Sequence, residues 1–260
     1  MSLGYQISER LYEFAVNFEE YNKHKNIYII NQVVEKTFGF DAMFFIQKNS
    51  LKTISKLKLK IIVLQYKIPT EYNVKQLTPK TANFNKIRHK PWSAGGFFRF
   101  EIANSLDNSG SEKVFDQHNQ LLDLTQSRGI TAYYVAPRFL DINALYQQMG
   151  NNSVIANSVM ISFNHLPRLK KMIKPIKPFN HYMYYDSVND YHKLCSDEYE
   201  FHEFQLTYNS IVEALKESQS IALSEILSDE MELSMDDVCK KILEYLNITQ
   251  KNIKPYILIE

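Results

Sequence analysis

Lys58-Leu59-Lys60-Ile61-Ile62-Val63-Leu64-Gln65-Tyr66-Lys67 is the stretch on which the fold turns. Its centre is an unbroken apolar run, Ile61 to Leu64, in which three of the four residues are β-branched. Such a run suits a strand covered on both faces and predicts a central position in a sheet. Successive side chains of a strand leave opposite faces, so Gln65 and Lys67, two apart, project from the same one. An amide and an ammonium therefore share a face at the end of the most buried strand.

Working upstream, Phe40 to Gln47 predicts a strand, Asn49-Ser50 a turn, and Leu51 to Leu57 a second strand. A helix is expected over Ile27 to Phe38, with the stripe Ile30, Val33, Val34 and Thr37 and Gly39 as its stop. An earlier helix is expected over Ile7 to Tyr21, with Leu11, Phe14, Ala15 and Phe18 at helical spacing. Downstream, Ile68 to Phe97 is irregular and carries Pro69, Pro79, Pro91 and the single tryptophan, Trp92. Loops of that length inside a domain tend to be functional. A short strand near Phe97 to Ile102 follows, then a helix over Glu112 to Ser127 behind Ser111 as N-cap. Ile130 to Ala136 reads as a strand closed by Pro137. Leaving the short Phe97 strand aside, the order from Ile27 is helix, three strands, helix, strand.

Beyond Phe139 the pattern predicts a helix over Asp141 to Met149 and strands near Val154 to Phe163 and His181 to Tyr185. Helices are expected near Glu203 to Leu227 and Ser234 to Leu246, and a last strand over Tyr256 to Glu260. The division expected is 1–150 and 151–260, with Asn151-Asn152 as the boundary.

Composition bounds the function classes. The chain has 260 residues, 45% hydrophobic and 23% charged, which is the balance of a globular protein. Cys195 and Cys239 fit no metal spacing and are too few for a disulfide framework, so a cytoplasmic setting is expected. No apolar run approaches the length of a membrane span, and the N-terminal segment does not read as a signal peptide. Seven glycines and no phosphate-binding glycine loop argue against the nucleotide-binding folds that depend on them. The net charge of +1 hides an asymmetry. Leu51 to Lys90 holds ten Lys or Arg against one acid, Glu71, whereas Ser196 to Asp237 is strongly acidic. The basic stretch suits either phosphate contact or a solvated surface loop.

Phosphodiester hydrolysis assisted by Mg²⁺ needs hard oxygen ligands and a cation that orients water and steadies charge on phosphorus. Two neighbouring strands supply such a set: Asp41 at the start of one, Gln65 and Lys67 at the end of the other. Glu35, six residues before Asp41, joins them if the end of its helix packs over the sheet edge. Within Lys86-Ile87-Arg88-His89-Lys90-Pro91-Trp92, the residues Lys86, Arg88, Lys90 and Trp92 combine cations with an aromatic. That mixture serves nucleic-acid backbone and base stacking, or equally a basic loop with Trp92 in the core. Gln117 and His118 fall on the apolar stripe of the Glu112 helix, as site groups or as satisfied buried polar side chains.

Glu35-Lys36-Thr37-Phe38-Gly39-Phe40-Asp41 followed by Val63-Leu64-Gln65-Tyr66-Lys67 resembles the PD-(D/E)XK nuclease superfamily. The resemblance is to its variants with Gln in place of the second acid, and it covers about residues 27 to 137. It implies an α/β restriction-endonuclease-like αβββαβ core and Mg²⁺- or Mn²⁺-dependent cleavage of DNA; residues 140 to 260 carry no such resemblance and are expected to form a C-terminal α+β extension. Asp41, Gln65 and Glu35 would hold the metal, Lys67 would serve the water, and Gln117 would face the substrate. It admits a homodimer and gives no reason to expect a membrane. The same fold can also outlive its site as a module binding nucleic acid or protein. A third class, a structural protein whose acidic C-terminal helices bind a partner, fits the charge asymmetry.

Overall fold

The computed structural model of the chain describes residues 6–23, 27–31, 42–48, 58–72, 97–104, 112–128, 130–166, 168, 180–186, 191–195, 200–205, 211, 214, 220–222 and 241. The elements in order are α1 (Glu9–Lys23), β1 (Ile27–Asn31), β2 (Ala42–Lys48), β3 (Lys58–Tyr66), β4 (Thr70–Tyr72), β5 (Phe97–Asn104), α2 (Glu112–Arg128) and β6 (Thr131–Pro137). There follow α3 (Ile142–Gly150), β7 (Ser158–Ser162), a short 3₁₀ turn (Phe163–His165), β8 (Asn180–Asp186), β9 (Tyr191–Cys195), β10 (Glu200–Gln205) and β11 (Ser220–Ala222). The architecture is mixed α/β.

β3 is central in the first sheet, as its apolar run requires. β2 lies antiparallel on one side, with Ala42 opposite Leu64, and β1 continues outward from it. The other side of β3 is shared. Its residues 62–66 pair in parallel with β6, while Lys58 to Lys60 pair antiparallel with β11. β7 pairs antiparallel with β6 to complete the order β1-β2-β3-β6-β7. A parallel pair cannot be joined by a tight turn. Here the connection from β3 to β6 runs through β4, β5 and α2. The second sheet is antiparallel throughout, in the order β10-β9-β8-β5-β4. Both sheets draw strands from either side of Asn151-Asn152: β6 pairs with β7, and β5 with β8.

The first sheet is covered on both faces. Ile62, Leu64 and Tyr66 of β3, with Tyr133 and Val135 of β6, pack against Tyr12, Ala15 and Val16 of α1 and Leu145 of α3. Strand alternation sends Ile61, Val63, Gln65 and Tyr134 to the opposite face. There the Tyr134 ring meets Phe100 of β5 at 5.5 Å and Phe163 at 4.5 Å. Tyr185 of β8 ties the second sheet to the first by donating its hydroxyl to the Pro137 carbonyl at 2.6 Å.

Several expectations need correction. Ile27 to Asn31 is a strand, not the start of a helix: all five residues pair with β2, and the β-branched Ile27, Ile29 and Ile30 suit that state. Residues 32–41, with Gly39, and the strand expected over 51–57 lie outside the described residues. The helix expected over Glu203 to Leu227 begins inside β10 and contains β11, although Ile211 and Ala214 are helical. Of the helix over 234–246 only Lys241 is described, and it is helical. The strand over 256–260 lies outside the described residues. In α1, Ala15 is buried and Leu11 packs against the core as expected, but Phe14 and Phe18 are exposed. Among the described residues no helix is long and apolar enough to cross a membrane.

Candidate functional site

Because β3 and β6 are parallel neighbours, their C-terminal ends emerge together. In open α/β sheets that end is where ligands collect. Lys67 follows β3 directly. Its backbone N–H donates to the Val135 carbonyl at 2.9 Å, which carries the β3–β6 ladder one step past the strand, and the residue is half-buried. Lys67 is thus held by β6 at its backbone, at the C-terminal edge of the parallel pair.

Gln65 is fully buried. It sits level with Tyr134 of β6, and its amide Nε2 donates to the Tyr66 carbonyl at 3.4 Å. Tyr134 in turn hydrogen-bonds through its hydroxyl to His118 Nδ1 of α2 at 2.9 Å, and both side chains are buried. Burial pushes the Tyr134 hydroxyl far above its usual range, so it stays protonated. His118 is therefore a satisfied interior residue, one of the two roles open to it from its helical stripe. Tyr133 and Tyr134 are likewise interior.

Asp41, Glu35, Lys86, Arg88, Lys90 and Trp92 lie outside the described residues. Ala42, bonded to Asp41, pairs with Leu64, bonded to Gln65. Gln117 lies on α2, one residue before His118. The sequence pattern missed Arg138, which follows β6 at the same end as Lys67 and is also half-buried.

A hydrated divalent cation retains several waters around its protein ligands. Full burial leaves Gln65 without the water-accessible side that such a cation needs. Among the described residues no group of three or more His, Cys, Asp or Glu converges. The two carboxylates expected to hold such a cation, Asp41 and Glu35, are not among the described residues. The chain matches no protein-family model, no curated protein and no solved structure.

Proposed function

We propose that the chain is a nuclease-like protein of the PD-(D/E)XK type that acts on DNA phosphodiesters at the C-terminal end of β3 and β6. The observation that supports it best is Lys67: a half-buried cation held at the end of a central strand that runs parallel to β6 beyond α2. A lysine there steadies charge on the phosphoryl oxygens and orients a water for in-line attack. A divalent cation, where bound, supplies Lewis acidity, and the carboxylates that the resemblance assigns to it are Asp41 and Glu35.

The test is cleavage of a DNA plasmid with Mg²⁺ or Mn²⁺. Cutting is expected, and Lys67→Ala should slow it about 10²- to 10³-fold, the usual loss for one stabilising donor. No cutting with either metal, or cutting unaffected by the substitution, overturns the proposal. The burial of Gln65 favours a second reading, a fold that binds nucleic acid or a protein partner without cutting. Calorimetry showing no uptake of Mg²⁺ or Mn²⁺ beside retained DNA affinity would select it.

A further inference from the structure

Two ladders fix where Arg138 stands. The bond from Lys67 N–H to the Val135 carbonyl extends the parallel register beyond Tyr66 opposite Val135, and so sets Lys67 beside Ala136. The bond from Arg138 N–H to the Asn157 carbonyl, 2.9 Å, extends the antiparallel register beyond Pro137 opposite Ser158. Arg138 therefore continues the register of β6 for one residue past its end, at the bend where the chain leaves the sheet. Tyr134, Ala136 and Arg138 share a face with Gln65 and Lys67. Strands lie about 4.8 Å apart and rise about 3.3 Å per residue, so diagonal neighbours two residues on are separated by about 8 Å at Cα. Lys67 and Arg138 have that relation, and both side chains are long enough to close on a group between them.

Arg138 also lies near Tyr185. Its charge acts on the hydroxyl of Tyr185, which is itself anchored to the Pro137 carbonyl. The planar fork of a guanidinium suits two oxygens of one phosphate.

The geometry points to a phosphate clamp formed by Arg138 with Lys67 at the shared end of β6 and β3, Arg138 gripping non-bridging oxygens of a DNA backbone phosphate. This rests on the proposed action at DNA phosphodiesters and names a second residue that contacts the substrate.

Anisotropy of a labelled DNA duplex in EDTA separates binding from cutting, and a salt series counts the phosphate contacts. Arg138→Gln should weaken binding about tenfold or more, the scale of a lost charge-assisted bond. It should also flatten the dependence of log affinity on log salt by about one unit. Arg138→Lys should restore the slope but only part of the affinity, because a point charge replaces the fork. Unchanged affinity in Arg138→Gln while Lys67→Gln loses affinity overturns the clamp and leaves the role of Lys67 standing. So does lost affinity at unchanged slope, which marks a structural effect. Unchanged binding in both variants, or no DNA binding by the native chain, overturns the clamp together with the proposed site. Weakened binding by Arg138→Gln in a protein that never cuts with metal retains the clamp and removes the hydrolysis.

Discussion

Tyr12 shows how α1 solves a problem that its sequence hides. The spacing of Leu11, Phe14, Ala15 and Phe18 suggests the inward face, yet Phe14 and Phe18 stack on each other in solvent. The face that turns inward carries Tyr12, Ala15, Val16 and Glu19. Its polar atoms are not wasted there. The Tyr12 hydroxyl donates to Ser158 Oγ at 2.6 Å, and Ser158 passes a hydrogen bond on to the Val154 carbonyl at 2.6 Å. Glu19 accepts from the Val154 N–H, and Asn17 Oδ1 accepts from the Tyr66 hydroxyl. Hydropathy alone ranks Phe above Tyr and Glu for burial, and cannot register partners that lie some 50 to 150 residues away. Tyr12→Phe leaves the ring against Tyr66 but removes the donor to Ser158, at a cost of about 1–2 kcal/mol. Ser158→Ala should cost a similar amount, and the double variant less than the sum, because both break one chain. Urea unfolding of the three proteins checks this. Strict additivity would show that the two hydroxyls act independently.

Among the elements, those governed by local signals were legible. β3, α2 and β6 stand within one or two residues of where periodicity and Pro137 put them. α3 follows its cap: Asp141 accepts from the Asn143 N–H at 2.8 Å. At the other end Asn152 takes a positive φ of 51°. The N–H groups of Asn152 and Ser153 then close on the carbonyls of Met149 and Gln148 in a Schellman arrangement. The asparagine pair thus forms a helix stop leading into β7. Asp141→Ala should destabilise the chain by about 1 kcal/mol and Asp141→Ser by much less, as thermal unfolding would show. Equal effects would mean that the cap is idle. The misread elements failed for a different reason. The helix expected from Glu203 begins inside β10. The register shift between Glu200 and Glu203 counts three residues as fewer along the ladder, and no local pattern announces a bulge. Of the site, Lys67 was visible because its strand was. Arg138 was not, because its relation to Lys67 exists only once β6 pairs with β3, across some seventy residues.

For the molecule as a whole, that same junction is where alkali should act. Tyr134 lies between α2 and β5, Tyr185 joins the two sheets, and Tyr12 joins α1 to β7. All three hydroxyls are raised above their ordinary value of 10.0, chiefly by burial, with Glu19 adding to the rise for Tyr12. Since the folded state holds these groups protonated, their contribution is complete below pH 10. It is lost as pH climbs from there toward each raised value. Each tyrosine then steepens the fall in stability by about 1.4 kcal/mol per pH unit, and three together by about 4. Against a total of about 5–15 kcal/mol, that slope unfolds the chain within a few pH units. The expected record is a step in tyrosinate absorbance that coincides with loss of the far-UV circular dichroism. Tyr185→Phe, although less stable at neutral pH without its bond to Pro137, should show an alkaline slope shallower by about one third. A smooth titration of all seventeen tyrosines near pH 10 with the dichroism intact would show instead that water reaches the junction, and with it the face that carries Lys67 and Arg138.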